Sequence, residues 1–514
     1  MLNISSNLQR CARVQPDKVA IHYADQSITF AELNNAANQI TNALRNVGIG
    51  KGDKVALLCP NLPYFPMVYF AILKLGAVVV PVNVLLKGAE IAYYLQDSDA
   101  KAFFCFQGTA ALDMGQEGFD GFNLAEQCEH FIMMTAAINA PSPIEGTRTL
   151  AQIMAGQSSE SDCALLDEND TAVILYTSGT TGKPKGAELT HANIFTNTTQ
   201  CNLLMKSSGQ DIHLITLPLF HSFAQAVQMN AAIQVGATMV LLPRFEPDAV
   251  LAAMQKYRVT LFVGVPTMYI ALLGQLDTSE QYDMELITSN LRIGVSGGAP
   301  LPVQVIHAFE QKFKVALLEG YGLSETSPAA AFTFLDIERI PGSVGQPLWG
   351  VEIELRDEHG QSVAVGEIGE ICIRGCNVMK GYYKRPEETS KAIRDGWFYT
   401  GDLGKIDASG NVFVVDRVKD MILRGGYNVY PREIEEVLMT HPAIAQAAVV
   451  GVPESSLGEE VKAFVILKPN AQLTEQDLIV WAREKMASYK YPRLVSIVST
   501  LPMTATGKVL KRQL

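Results

Sequence analysis

Tyr176-Thr177-Ser178-Gly179-Thr180-Thr181-Gly182-Lys183-Pro184-Lys185-Gly186 places four Ser/Thr hydroxyls, two lysines and three glycines within eleven residues. Glycines let the backbone come close to a ligand, and successive N–H groups can form an anion-binding nest. Hydroxyls donate to phosphate oxygens, and lysines add mobile positive charge. The stretch follows Ala172–Tyr176, an apolar run that reads as a buried strand. It precedes a helix expected to begin near Thr190. This is chemistry for gripping a polyphosphate. It is not a Walker A loop, because Gly182-Lys183 is followed by Pro184 and Thr177 stands where that pattern needs its first glycine.

Outward from this loop, helical patterns alternate with short apolar runs from Ile28 to about Val240. Val55–Leu58, Ala77–Pro81 and Ala237–Leu242 are examples. Such alternation predicts an α/β architecture with parallel strands and helices. From Gly350 to Val415 the runs Val351–Leu355, Glu370–Arg374 and Asn411–Val415 are closely spaced between glycine turns, predicting a smaller β-rich unit. The last hundred or so residues read as a small α+β module. A helix starts near Pro431 with Ile434 and Leu438 on one face, strands follow at Ala447–Val450 and Val461–Leu467, and a second helix starts after Thr474, whose hydroxyl is expected to cap it, and runs to about Met486.

Composition narrows the function classes. The 514 residues carry 53 acidic and 41 Lys or Arg side chains, a net charge of −12. That balance disfavours a general nucleic-acid binder, which needs clustered cations. Local fields can still hold small anions. Residues 481–514 bear seven basic side chains against the single acid Glu484, either a solvated edge or part of an anion site. The eight cysteines are scattered without metal-type pairs and read as reduced thiols of a cytoplasmic protein. No apolar leader precedes Arg10, and the apolar stretch Phe70–Leu86 is broken by Lys74, Pro81 and Asn83. It is expected to be a core helix running into a buried strand, not a membrane span. Peripheral membrane contact and oligomeric state stay open.

The loop string resembles the signature phosphate loop of the adenylate-forming superfamily, which includes acyl-CoA synthetases, peptide-synthetase adenylation domains and beetle luciferases. Other segments match in the family's order, from Thr29-Phe30-Ala31-Glu32-Leu33 to Lys508, so the likeness spans nearly the whole chain. The resemblance implies a large N-terminal adenylation domain, 1–418, with its β-rich subdomain at about 350–415, and a mobile C-terminal lid, 419–514. It assigns ATP contacts to Thr177, Ser178, Gly179, Thr180, Thr181, Gly182 and Lys185. Gly298 and Ala299, in Ser296-Gly297-Gly298-Ala299-Pro300, lie on the adenine side. In Tyr321-Gly322-Leu323-Ser324-Glu325-Thr326, Tyr321 stacks on the base, Ser324 meets the α-phosphate and Glu325 holds Mg2+. Asp402 and Arg417 take the ribose, an ionised carboxylate being able to accept two hydroxyl donors. His221, in Leu217-Pro218-Leu219-Phe220-His221-Ser222-Phe223, stands beside the substrate carboxylate. Lys419 marks the hinge, Gly425 and Gly426 form a loop on the thiol side, and Lys508 is the lid lysine of adenylation. Met503 departs slightly from the Lys or Arg often found there.

The implied chemistry is attack of a carboxylate on the α-phosphorus of ATP, with pyrophosphate expelled, followed by transfer of the acyl group to CoA. The resemblance also implies that amino acids and acetate are disfavoured, since the Asp that amino-acid-activating relatives carry near Phe220–Phe223 and the Trp that acetate-specific relatives carry ahead of Ser324 are both missing. Gly322 in that place predicts room for a longer tail. Phe223, Met229, Val263, Met268, Gly322 and Ala329 are the expected acyl-pocket residues, apolar as a fatty tail requires. A medium- or long-chain fatty acid is therefore expected, with ATP, Mg2+ and CoA. An aryl (cinnamate-like) acid, an acyl carrier protein as acceptor, a luciferase-type oxygenase and a catalytically dead nucleotide binder are the alternatives.

Overall fold

The computed structural model describes residues 2–177, 183–278, 281–454 and 456–514. Two large sheets and a smaller third share one hydrophobic core, while the C-terminal module has cores of its own. The first sheet has nine strands. Its centre is parallel: Thr238–Leu241, Ile212–Ile215, Leu261–Gly264, Ile293–Gly297 and Ala316–Gly322 lie side by side. The eight-stranded second sheet is built around parallel Val78–Pro81, Lys54–Leu58 and Ala100–Phe106. These strands are buried almost throughout, as expected of parallel strands. The expected core helix is Tyr64–Leu75, which closes on Gly76 and leads into Val78–Pro81. Among the described residues, no helix is long and apolar enough to cross a membrane.

One element was not expected. Between the glycine-rich loop and the helix His191–Leu204 lies a strand, Lys185–Thr190. It pairs antiparallel with Thr171–Thr177, so Tyr176 faces Gly186 and Thr177 faces Lys185. The loop therefore tips a hairpin and does not run straight from a strand into a helix. Thr190 caps the helix reciprocally with Asn193.

The β-rich unit is a five-stranded antiparallel sheet over residues 351–417. Immediately after it, Val418–Asp420 forms a turn in which Asp420 and Met421 donate backbone bonds to the Arg417 carbonyl. The module beyond pairs Ile444–Glu454 with Gly458–Leu467 and packs the helices Pro431–Met439 and Glu475–Lys485 against that sheet. Thr474 caps the second helix by accepting from the Asp477 N–H. Asp416, on the other side of the turn, accepts from the Arg432 backbone N–H at 3.0 Å, supplying a cap that the first turn of Pro431–Met439 lacks locally. Arg432 is itself buried and donates through Nη1 to the Val414 carbonyl.

Candidate active site

The site forms where the C-terminal ends of the parallel strands meet the β-rich unit and the C-terminal module, the usual place for ligands in open α/β sheets. Asp402 and Arg417 are cross-strand partners in the third sheet, and Arg417 Nε lies 3.0 Å from Asp402 Oδ1. Tyr321, from the end of strand Ala316–Gly322, donates its hydroxyl to Asp402 Oδ2 at 2.7 Å. Burial, then the Asp402 charge, pushes the Tyr321 phenol well up, so the hydroxyl stays protonated. Asp402 is buried and held on both oxygens by protein donors.

Ser324 and Glu325 sit one turn further on, in a short 3-10 segment. Glu325 is buried, and its Oε1 accepts from Thr177 Oγ1 and from the Tyr382 hydroxyl, each at 3.0 Å. Burial and the Glu325 charge raise the Tyr382 phenol. Lys185 Nζ lies 4.4 Å from the centre of the Tyr382 ring, within cation–π range. Among the described residues, no hydrogen bond reaches Glu325 Oε2. A carboxylate with one oxygen anchored and one open suits Mg2+, which favours one or two carboxylates supplemented by phosphates and water. No group of three or more His, Cys, Asp or Glu side chains gathers among the described residues, so the chain offers the ion a sparse set of ligands.

His221 follows the turn at Pro218, and its Nδ1 accepts from the Phe223 N–H at 3.3 Å. That bond places the ring proton on Nε2. Burial, aided by the nearby Lys508 charge, brings the imidazole down to about 4, so it is neutral at physiological pH. Ser222 is buried, with its hydroxyl 3.4 Å from that of Ser324.

Lys508 enters this corner on a turn in which its N–H donates to Thr504 Oγ1 and Thr267 Oγ1 donates to the Gly507 carbonyl. Burial, then the Arg417 charge, lowers its ammonium to about 8, against the pull of Asp402 and Asp420. Among the described residues, its Nζ has no hydrogen-bond or ion-pair partner. Gly425 and Gly426, by contrast, are exposed at the tip of the hairpin Ile422–Arg424/Tyr427–Val429. Their φ values of +58° and +83° are those a two-residue hairpin turn demands. Lys419 is exposed in the turn Val418–Asp420.

Gly298, exposed, and the half-buried Ala299 end strand Ile293–Gly297 beside the site. Phe223 packs on the same strand end, its ring 2.9 Å from where a Gly297 Cβ would stand. Met229 and Val263 are wholly enclosed, and Met268 and Ala329 nearly so. Gly322 corrects an expectation. A Cβ there would lie 1.8 Å from the Pro328 carbonyl oxygen, so close backbone approach requires the glycine and takes up the space it leaves. Ser178, Gly179, Thr180, Thr181 and Gly182 lie outside the described residues. The sequence reading missed Tyr382, whose only local signal is an aromatic pair, Tyr382-Tyr383, between Gly381 and Lys384. It also missed Thr267 and the cap from Asp416, which carry no local signal.

Residues 8–383 match the AMP-binding enzyme family and residues 433–508 the AMP-binding enzyme C-terminal domain. The chain belongs to this family, within the adenylate-forming superfamily. It is 38% identical to a long-chain-fatty-acid–CoA ligase of Bacillus subtilis, over 97% of this chain and 91% of that protein. It is 35% identical to a feruloyl-CoA synthase of an Amycolatopsis species, over 98% and 96%. It superposes on ATP-bound MatB from Rhodopseudomonas palustris with a TM-score of 0.89 at 32% identity, covering 100% of this chain and 98% of the other. The chain is thus an AMP-forming acid–CoA ligase that uses ATP, Mg2+ and CoA.

Proposed function

We propose that the chain activates a medium- or long-chain fatty acid as its adenylate and passes the acyl group to CoA, residues 1–418 forming the adenylation domain and 419–514 a lid turning about Lys419. The observation that carries the adenylation assignments is the placement of Lys508, whose Nζ has no hydrogen-bond or ion-pair partner among the described residues, on a turn tied to Thr267 beside His221, Asp402 and Arg417. A carboxylate oxygen attacks the α-phosphorus, pyrophosphate leaves, and the thiol sulfur then attacks the acyl carbon and releases AMP. Two anions must meet in the first step, so their charge must be neutralised and their approach fixed. Lys508 binds the carboxylate and α-phosphate oxygens, His221 donates through Nε2–H, and Ser324 holds the α-phosphate. Thr177, residues 178–182 and Lys185 hold the β- and γ-phosphates, while Tyr321, Gly298 and Ala299 flank the base and Asp402 with Arg417 takes the ribose. Mg2+, held by Glu325 Oε2, would spread positive charge over the phosphates. In the second step the lid turns so that Gly425 and Gly426 replace Lys508.

The buried apolar residues Met229, Val263, Met268 and Ala329, with half-buried Phe223 at the strand end, support a fatty tail. An aryl acid is the second reading, favoured by the Phe223 ring at the strand end and by the feruloyl-CoA synthase among the relatives. A screen of pyrophosphate release over fatty, aryl and amino acids, with and without CoA, separates the readings. Fatty acids should give the highest kcat/KM, and a clear preference for aryl acids would overturn the fatty-acid assignment.

A further inference from the structure

Both stems of the glycine-rich loop are tied to a single helix outside the active site, Gly88–Ser98. On the outgoing side, the Tyr93 hydroxyl donates to the Pro184 carbonyl at 2.7 Å, and Lys183 Nζ lies 5.3 Å from the centre of the same ring. On the incoming side, Tyr176 packs on Tyr94 with ring centres 4.2 Å apart and donates its hydroxyl to Asp97 Oδ2 at 2.9 Å. Asp97, whose side chain is 8% exposed, also pairs with Arg385. One residue earlier Lys384 pairs with Asp99, and the Tyr383 hydroxyl donates to Asp99 as well. The backbone N–H of Tyr383 reaches the Gly186 carbonyl of the loop's outgoing strand at 2.8 Å. Among the described residues, none of these hydrogen bonds or ion pairs involves Lys508, His221, Ser324 or Asp402, yet together they tie down both stems of the loop.

We infer that helix Gly88–Ser98 is the brace that sets the triphosphate loop, with Tyr93 and Asp97 as positioning residues for the β- and γ-phosphates of ATP. This rests on the proposed role of residues 177–185 in holding those phosphates. The brace acts on phosphates that AMP lacks, so it should affect the two nucleotides differently.

Equilibrium binding of Mg2+-α,β-methylene-ATP and of AMP to the full chain reads this directly. Tyr93→Phe, which keeps the ring but loses the bond to Pro184, should weaken the triphosphate about fivefold, the scale of one neutral hydrogen bond. Asp97→Asn should weaken it about tenfold. AMP binding should stay within about twofold of the parent in both, since no group it meets is moved. Equal weakening of AMP and triphosphate, or no change in either variant, would overturn the brace. Thr180→Ala serves as the reference: if it weakens the triphosphate while Tyr93→Phe and Asp97→Asn do not, the brace falls and the loop assignment stands. If Thr180→Ala also leaves the triphosphate untouched, the loop assignment falls and the brace with it.

Discussion

On the proposed assignments, the ribose corner and the reaction corner lie side by side and are built on opposite plans. Asp402, Arg417 and Tyr321 are already paired with one another, at 3.0 and 2.7 Å. Lys508 and His221 are not, and each is held where its charged form is costly. A corner that only recognises a ligand gains from being wired in advance, because little order is lost on binding. A corner that must neutralise charge arising during reaction gains from donors with no other partner, since they interact most strongly with the transition state.

Four experiments sharpen or break this contrast. Lys508→Ala should slow adenylate formation by about a thousandfold or more, the upper range for losing one preorganised donor. Thioester formation from supplied acyl-adenylate should change only a few-fold, and single-turnover assays of each half-reaction measure both. Equal losses would mean that the lysine serves the whole reaction and not its first step. Asp402→Asn should raise the KM for ATP by about thirtyfold with a smaller change in kcat, as expected for losing a charged acceptor that only binds.

The third test is pH. On the proposed assignment the Lys508 cation is the working form, and burial lowers its ammonium to about 8. The kcat/KM for adenylation should therefore be full below about pH 7 and fall roughly tenfold per unit once pH passes 8. His221, neutral above about 4, should add no step between pH 5 and 8. A profile flat to pH 10 would show that the lysine is not strained. Smallest is Tyr321→Phe, expected to weaken AMP and ATP alike by about fivefold, because it removes one hydrogen bond from a paired network.

Much of this is legible in the sequence, for identifiable reasons. The parallel strands announced themselves because full burial demands unbroken apolar runs such as Val78–Val79–Val80. The helix starts near Thr190 and after Thr474 were readable because start signals are local. Strand Lys185–Thr190 was not, because its identity depends on pairing with Thr171–Thr177 across a polar loop. Tyr382 meets Glu325 from 57 residues away, and Asp416 caps a helix that begins beyond the turn Val418–Asp420. Gly322 misled because its neighbour Pro328 occupies the space through backbone, which residue identities alone do not reveal.

The bond from Tyr321 to Asp402 ties two acts of recognition together. On the proposed assignment, the carboxylate that receives the sugar also fixes the ring that faces the purine. Binding of a deoxynucleotide should then suffer beyond the single contact removed: the slackened carboxylate would let the aromatic plate drift, and even a correct base would be read less sharply.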